Sequence, residues 1–435
     1  MKFISRVFFF GLLSTFSSGF AQEILTLEVA VNTALENNYN IRISKNDVEI
    51  AERNVNRANA GMLPAVGATL SNNNTIQNST QTRSTGEITE RNNARGNTLN
   101  YGLGLNWTIF DGFGMFARYD QLKEFQRLGE ANMQLQIIIT LSDVIEQYYS
   151  LVQQQQQLKA FDTAVSISRL RVKTAQTRFE VGKAARLEVL NAQVDFNTDT
   201  TNYLQQQVLY RNTQIRLNEL MASDVNTVYK VTNDFRINAS LDLNQLLKGA
   251  LQQSPVLRAA LVSRRIAELD LKQVKSGRFP VIGLNSGYNF NRSQSALGFA
   301  TQTTGRGFNY GLTASVNVFN GFLQRKREQN AEVEIRSAEL DYQRLNQSVN
   351  AQLSSAFQSY LTNLRLVALE ESNQKIASQN LEITLTRYRL GTITQVEIRD
   401  AQLNYLNASV RLNNARYQAK LAEVSLQEIS GKINL

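Results

Sequence analysis

Histidine and cysteine are both absent from the 435 residues of this chain. Their absence excludes the zinc sites, Ser-His and Cys-His nucleophile pairs and disulfide bonds that depend on them. Catalysis would have to rest on carboxylates, lysine or tyrosine, and paired carboxylates of the glycosidase type need a sugar cleft that a long helical chain does not evidently supply. We therefore expect a protein that is not an enzyme and that has no cofactor and no metal.

Proline and glycine are scarce, and the long stretches that lack them predict helices. The only prolines are Pro64, Pro255 and Pro280, and between residues 323 and 430 the only glycine is Gly391. Apolar residues recur there every three or four positions, as expected for helices that pack as coiled coils. A helix of about 66 residues would be roughly 100 Å long. The predicted long helices cover about 113–180, 184–222, 322–389 and 394–430.

Long apolar runs are missing beyond the N-terminal segment. Lys2 and Arg6 precede an apolar run over 7–20, which is too short to cross a bilayer comfortably. This pattern predicts an export signal peptide over residues 1–21. Without its two cations the formal charge falls from +9 to 9 − 2 = +7. The remaining basic residues are scattered, so we expect no nucleic-acid partner.

The chain contains a tandem duplication. Residues 34–67 recur 216 positions later, whereas residues 100–193 recur 209 positions later. The difference falls in the polar stretch from Ser71 to Arg95, and insertions of this kind are typical of exposed loops, so we expect this stretch to face outside the cell. The predicted division is a first repeat over 22–225, an equatorial linker over 226–242 and a second repeat over 243–435.

Four segments alternate between apolar and polar residues with the two-residue period of strands. The polar positions are small and neutral, which suits a water-filled lumen, although a soluble sandwich would show the same alternation. Four strands cannot close a barrel, so several copies would have to share one: two copies would give eight strands and a filled interior, and three would give twelve strands and a passage. The predicted strands cover about 64–76, 99–110, 280–291 and 307–319.

Within each repeat the helical pattern stops at a glycine and then resumes, which predicts an antiparallel helical hairpin with its tip at Gly182 or Gly391. Together with the export signal, the duplication, the paired strands and the Phe-Asp/Asn-Gly step at 110–112 and 319–321, these tips resemble those of the TolC-like outer-membrane efflux proteins. The resemblance covers essentially the whole mature chain.

This resemblance implies a mainly α fold in which very long antiparallel helical hairpins form an α-barrel, and four β-strands per chain contribute to a shared twelve-stranded transmembrane β-barrel in a homotrimer. It also implies a location in the outer membrane of a Gram-negative bacterium, with a helical extension into the periplasm. The function would be a passive exit duct whose partners are a periplasmic adaptor, an inner-membrane efflux or secretion transporter and outer-membrane lipid.

The resemblance also assigns positions at the hairpin tips. The expected adaptor-docking residues are Arg178, Gly182, Ala192, Arg387, Gly391 and Ala401. The alternative is that these glycines merely turn the chain and that the alanines let helices approach closely. The expected residues of the periplasmic gate are Glu397, Asp400, Glu188 and Tyr388.

Glu397 and Asp400 lie three residues apart, so they share one helical face on which three copies would bring six carboxylates together. The alternative is a solvated acidic face beside Arg399. A tip arginine that completes the family's gate is replaced by Ile393, and Lys183, Arg186 or Arg389 could substitute for it.

The rival to a duct is an exported structural protein. Such a protein would be a periplasmic or surface coiled-coil spacer whose short strands form a soluble cap. Extraction in buffer without detergent and the absence of an ion current would distinguish it from a duct.

Overall fold

The computed structural model describes residues 24–232, 234–297 and 300–433, so the expected signal peptide over 1–21 lies outside the described residues. The helices are α1 Leu27–Asn37, α2 Tyr39–Asn54, α3 Gly114–Glu180, α4 Arg186–Leu220, α5 Leu243–Gln253, α6 Pro255–Ser276, α7 Leu323–Leu390 and α8 Gln395–Ser430. The strands are β1 Ile24–Leu25, β2 Ala65–Thr82, β3 Ile88–Asp111, β4 Lys230–Val231, β5 Val281–Ser295 and β6 Gln302–Ser315.

Two helices run the length of the helical part, α3 with 67 residues and α7 with 68. Shorter helices pair with them at each end. Near the sheet the packing order is α2-α3-α6-α7, and near the tips it is α4-α3-α8-α7. Among the described residues, none of the helices combines the length and the apolar character that a membrane-crossing helix needs.

The helical pairs α1/α2 and α5/α6, which precede the two strand pairs, were not among the expected elements. The second pair breaks at Ser254, and Pro255 occupies the first turn of α6, where a missing backbone N–H carries no penalty. Helices α1 and α5 have 11 residues each, and all four helices pack mainly against α3, α7 and α8. Each pair is interrupted by a turn, at Asn38 or Ser254, so neither forms the kind of long helix that the absence of proline and glycine indicates.

One antiparallel sheet has the order β2-β3-β5-β6, which leaves β2 and β6 as unpaired edges within the chain. The expectation of an exposed loop over Ser71–Arg95 is wrong for most of that stretch. Ser71 pairs with Asn100, Thr82 pairs with Ile88, and only the turn between β2 and β3 is a loop. The inserted residues extend the hairpin because most of the added residues on β2 have a backbone partner on β3, with one irregularity between Gln77 and Ser79. In the second repeat, β6 ends at Ser315, so the alternation expected through Phe319 is not all strand.

The two faces of this sheet differ in polarity. On one face Tyr101 pairs with Phe290, and their rings stack with centroids 4.8 Å apart. On the other face Gly102 pairs with Asn289. The alternation predicted from the sequence is therefore a real separation of an apolar face from a face of small neutral residues.

The step from each strand pair into its long helix uses the Phe-Asp/Asn-Gly motif. Gly112 and Phe113 both have positive φ, at 73° and 70°, which turns the chain sharply into α3. The Asp111 carboxylate then accepts a hydrogen bond from the Met115 backbone N–H at 3.0 Å. Asn320 does the same for Gln324 at 3.3 Å in the second repeat. The acidic or amide residue of the motif thus satisfies an N–H at the start of the helix.

The segment that joins the repeats packs beside the middle of the long helices. Its short strand β4 pairs in parallel with β1, and Tyr229 and Val231 enter a buried cluster with Val144 and Tyr148 of α3. Further along, the Lys420 ammonium of α8 donates to the Arg236 carbonyl at 2.8 Å. The segment is therefore fixed to helices of both repeats.

Candidate functional site at the hairpin tips

The first tip connects α3 to α4 with little side-chain support. Gly182 turns the chain with φ of 73° and has open space around its Cα, so nothing crowds this position. Ala185 precedes α4 and provides no side-chain hydrogen bond to the helix start. The first backbone N–H groups of α4 therefore lack the cap that a serine or threonine would supply.

The second tip connects α7 to α8 and is capped on both sides. Gly391 ends α7 with φ of 80°. Thr394 precedes α8, and its hydroxyl accepts from the Glu397 N–H at 3.4 Å, while the Glu397 carboxylate accepts from the Thr394 N–H at 2.7 Å. This reciprocal pair is a capping box. The carboxylate of Glu397 is thus turned towards its own helix start.

Arg178 joins the first tip to the second. Its guanidinium donates to the Tyr388 carbonyl at 2.7 Å and lies 4.9 Å from the centre of the Tyr388 ring. A Cβ added at Gly391 would lie 3.2 Å from the same guanidinium. A cation at the end of α7 is favourable because the last carbonyls of a helix carry partial negative charge. That Lys183, Arg186 or Arg389 replaces the tip arginine of the gate stays a prediction; in the single chain the cation in contact with Tyr388 is Arg178.

Tyr388 is the buried residue around which the second tip packs. Its side chain is 1% exposed and lies in an apolar cluster with Ile398 and Ala401, against which Ile393 also packs. Burial raises the pKa of Tyr388; the Arg178 cation opposes this shift and the Glu188 carboxylate adds to it. The phenol therefore stays neutral, and Ile393 is a packing residue of this cluster.

A buried polar cluster ties α8 to α3 and α4 above the tips. The Arg399 guanidinium donates to the Asp199 carboxylate at 2.7 Å, although Asp199 is only 2% exposed. Gln402 donates to the same carboxylate at 2.9 Å. Ser168 of α3 also donates to Asp199. One buried carboxylate thus holds three helices by hydrogen bonds to charged and neutral donors.

Arg171 completes this cluster from α3. Its side chain is 1% exposed, and it donates to Asp195 at 2.7 Å and to the Gln402 amide oxygen at 3.3 Å. Its Nε is buried without a hydrogen-bond partner. Two arginines and two aspartates therefore balance in charge inside the bundle. Sequence reasoning missed this cluster because charged residues on a helix are usually solvated, and nothing in their spacing marks them as buried.

The structure separates the expected docking residues into two groups. Ala192 is 0% exposed and Ala401 is 4% exposed, so both methyl groups face neighbouring helices of the same chain. This favours the interpretation that these alanines allow close helix packing. Arg387, Gly182 and Gly391 are exposed, and Arg178, which is partly exposed, contacts the second tip.

The expected gate residues also lie in different environments. Tyr388 is buried and Glu188 is partly buried, whereas Glu397 and Asp400 are exposed at the start of α8. Among the described residues, no group of three or more Asp and Glu side chains is arranged to hold a metal ion. The role that these contacts support is structural: they hold the second hairpin against the first.

The geometry thus defines a class of protein with an open sheet at one end, two long helical hairpins at the other and a set of contacts that couple the hairpin tips. The chain belongs to the outer membrane efflux protein family, whose sequence profile matches residues 30–223 and 246–432. The two matched blocks lie within the two predicted repeats, 22–225 and 243–435.

Individual relatives agree with this assignment. The chain is 24% identical over 309 residues to the outer membrane protein TolC of Vibrio cholerae, a match that covers 67% of each chain. It is 23% identical over 270 residues to TolC of Escherichia coli, which covers 59% of this chain but only 54% of that protein. The crystal structure of the CmeC outer membrane channel of Campylobacter jejuni superposes with a TM-score of 0.75 at 19% identity, covering 93% of this chain and 85% of that one.

These findings confirm the TolC-like resemblance and the mainly helical fold with an antiparallel β domain. The protein is an outer-membrane efflux channel with a helical part in the periplasm.

Proposed function

We propose that three copies of this chain form the exit duct of a tripartite efflux or type I secretion system. Cargo would pass without energy input from the duct itself, delivered by an inner-membrane transporter through a periplasmic adaptor. The observation that carries the proposal is the four-stranded sheet with two free edges and one apolar face.

A free sheet edge in lipid leaves backbone N–H and C=O groups without partners, so the edges have to be paired. β2 and β6 are these edges, and every residue of β6 is exposed in the single chain. Pairing β6 of one copy with β2 of the next closes a ring. Three copies give 3 × 4 = 12 strands, enough to surround a passage, whereas an eight-stranded barrel is filled by its own side chains.

The helical part has free edges at the same two sides. α4 and α7 each have a row of exposed large apolar residues. On α4 these are Leu187, Leu190, Val194, Leu204 and Val208, and on α7 they are Leu366, Leu369, Ile376, Ile383 and Leu390. Packing α7 of one copy against α4 of the next would cover both rows, since burial of such surface stabilises association by about 25 cal/mol per Å².

The test of the duct uses the protein purified in detergent. We expect a trimer by light scattering corrected for bound detergent, and a steady ion current after reconstitution into planar bilayers. A spacer would extract in buffer and carry no current. Family membership favours the duct, and a monomer that is soluble without detergent would refute it.

The gate proposal assigns Asp400 and Glu397 to the closed mouth of the duct. Both are exposed at the start of α8, where three copies would bring their carboxylates together around the axis. Such a ring attracts cations. Because Glu397 also caps α8, replacing it with alanine would mix two effects, whereas glutamine can keep the capping box while removing the charge.

The gate is therefore tested with the double variant Glu397→Gln and Asp400→Asn. We expect weaker block by multivalent cations and altered conductance, with trimers intact. Glu382→Gln is the matched control, because Glu382 is an exposed acid on α7 away from the tip turn. If the double variant and the control respond to cations like the unmodified duct, the ring has no part in gating.

The docking proposal assigns the outer surface of both tips to the adaptor, including Gly182 and Gly391. Gly182→Asn is the sharpest test, because asparagine tolerates positive φ and the space around this position is open. We expect normal trimers and normal current but weaker crosslinking to the adaptor and weaker export. Undiminished export by this variant would contradict docking at the first tip.

A further inference from the structure

A band without any charged side chain crosses the sheet. It comprises residues 65–76, 96–110, 281–291 and 307–315. Three arginines follow it at the end of the sheet furthest from the helices, namely Arg95, Arg292 and Arg306. On three adjacent strands, the uncharged band is therefore followed by a cation at the same end of the sheet.

The strand register places all three arginines on the apolar face, and two of them, Arg292 and Arg306, lie beside its aromatic residues. Arg306 is paired with Phe290, which is paired in turn with Tyr101 on the next strand. Arg292 is paired with Leu99, one step further along the same face. Because side chains alternate between faces with a period of two, both arginines continue the column of apolar and aromatic residues.

Aromatic residues occupy the band just before the arginines. Tyr288 and Phe290 of β5 contact each other with ring centroids 5.1 Å apart, and Phe308 and Tyr310 of β6 lie 5.9 Å apart. Aromatic residues in this position mark the boundary between hydrocarbon and headgroups on barrels that cross membranes. The arginines therefore lie at headgroup depth.

Carboxylates do not neutralise these cations. Among the described residues neither Arg292 nor Arg306 forms an ion pair, and the Arg292 guanidinium reaches the Gln302 side chain only at 3.5 Å. The only acidic residues in the four strands are Glu90 and Asp111, and Asp111 lies at the opposite end beside α3. β2, which would lie beside β6 in a closed ring, has no acidic residue.

We propose that Arg292 and Arg306 bind the phosphate groups of anionic glycolipid in the outward-facing leaflet, at one site per protomer. This inference rests on the proposed duct, because the rim faces outward only if the helices extend into the periplasm. Guanidinium groups bind phosphate oxygens in pairs, and the aromatic rings below them contact the acyl chains. The site anchors the depth of the barrel in the membrane.

The experiment compares the trimer in three kinds of vesicle: phosphatidylcholine alone, phosphatidylcholine with diphosphorylated lipid A, and phosphatidylcholine with dephosphorylated lipid A. We expect lipid A to raise the thermal midpoint only when it has its phosphates. Inorganic phosphate added to phosphatidylcholine vesicles should have no effect, since it lacks the acyl chains. An equal shift with free phosphate would reassign the site to a soluble anion.

The decisive variant is Arg292→Gln with Arg306→Gln. It should retain lipid A roughly tenfold less well in native mass spectrometry. The double lysine variant should retain an intermediate amount, because lysine keeps the charge but loses the paired hydrogen bonds. Arg83→Gln is the control, since Arg83 pairs with Glu87 in the turn roughly 35 Å further along the hairpin.

Equal retention of lipid A by the double glutamine variant and the control would overturn the proposal. The ion current in phosphatidylcholine alone should be the same for all variants. If neither the unmodified protein nor any variant conducts, the proposed duct is refuted. If the protein conducts but does not distinguish the lipids, only the lipid site is refuted.

Discussion

Ala185 precedes α4 at the first tip, and Thr394 precedes α8 at the equivalent position of the second tip, 209 residues later. Because threonine supplies a capping hydroxyl and alanine does not, α8 is capped and α4 is not. Both tips kept the glycine that turns the chain and the glutamate three residues after the cap position, Glu188 and Glu397. The duplication therefore preserved the shape of the hairpin while the support of its tip diverged.

The contacts between the hairpins diverged in the same direction. The first repeat supplies Arg178, Arg171 and Asp199, which hold residues of the second repeat. The positions equivalent to Arg171 and Asp199 are Asn380 and Ala408, which cannot return these ion pairs. The first hairpin therefore supplies the side chains that fix the second hairpin in place, and the second supplies no equivalent ion pairs in return. This is expected if the second hairpin is the one that moves during opening.

Removing Asp199 should weaken the contacts between the two hairpins more than any other single change. Asp199→Ala leaves the Arg399 and Gln402 donors inside the bundle without their shared carboxylate. Breaking a buried ion pair from one side costs about 3–5 kcal/mol. We expect that loss in denaturant unfolding followed by circular dichroism, together with a larger open fraction in single-channel recordings.

Two comparisons separate loss of the cluster from general damage. Asp162→Ala removes an exposed acid of α3 and should change stability by less than about 0.5 kcal/mol. Gln402→Ala should cost about 1–3 kcal/mol, whereas Gln193→Ala, at the equivalent exposed position, should be neutral. If the two glutamine variants behave alike, the repeats are not asymmetric in the way the contacts indicate.

Arg178 and Arg387 are equivalent positions with different surroundings. In the described part of one chain, Arg178 contacts the other tip through the Tyr388 carbonyl and ring, and no comparable contact is found for Arg387. Arg178→Gln should cost about 2 kcal/mol, because a charged hydrogen bond and a cation–π contact are both lost. The measurement is the thermal midpoint of the reconstituted trimer.

Arg387 tests whether the asymmetry survives assembly. If neighbouring copies continue the same pattern, Arg387 donates to the Phe179 carbonyl of the next copy, since Phe179 is the equivalent of Tyr388. Arg387→Gln should then destabilise the trimer about as much as Arg178→Gln. A stable Arg387→Gln trimer would instead mean that the arginine contact between tips forms only within one chain, through Arg178.

The cap can be removed from the second tip and introduced at the first by single substitutions. Thr394→Ala should cost about 1 kcal/mol through loss of the capping box at α8. Ala185→Thr should stabilise by about 0.5–1 kcal/mol, because Ala185 already has extended backbone and Glu188 already stands three residues later. Both changes are measured as shifts in unfolding midpoint, and a destabilised Ala185→Thr variant would mean that Glu188 is held elsewhere.

Most of the fold could be predicted because it follows from local rules. The absence of proline and the repeated glycines at 182 and 391 indicated the long hairpins, and the two-residue period indicated the strands. The β2–β3 extension could not be found in this way, because Ser71–Arg95 is polar on both faces and has no period to read. Its strand structure comes mainly from backbone pairing, to which asparagine side chains add hydrogen bonds between the two strands.

The tip contacts could be predicted less well because they depend on which helices face each other. Nothing local distinguishes Arg178 from Arg387, and only the packing order brings Arg178 to the end of α7. Likewise, Ala192 and Ala401 looked like surface positions by resemblance but are buried by neighbouring helices. Equivalent residues in a duplicated chain therefore do not have equivalent environments.

The smallest expected effect concerns pH and compares the middles of α3 and α7. Glu146 of α3 corresponds to Ser355 of α7. Burial raises the pKa of Glu146, and the nearby Glu428 and Asp143 carboxylates raise it further. The folded state therefore binds the proton more tightly than the unfolded state, so stability should increase as the pH falls through the folded-state pKa towards the ordinary glutamate value.

Glu146→Gln should remove this part of the pH dependence and stabilise the duct at neutral pH by no more than about 1 kcal/mol, because the group is half exposed to solvent. Ser355→Ala is the matched change in the second repeat and should leave the pH profile as it is. The profile of thermal midpoint against pH distinguishes the two. If the midpoint of the Glu146→Gln variant still rises on acidification over this range, the effect belongs to Asp143, whose pKa is also raised by burial. If the variant is less stable at neutral pH, the folded protein stabilises the charged form of Glu146.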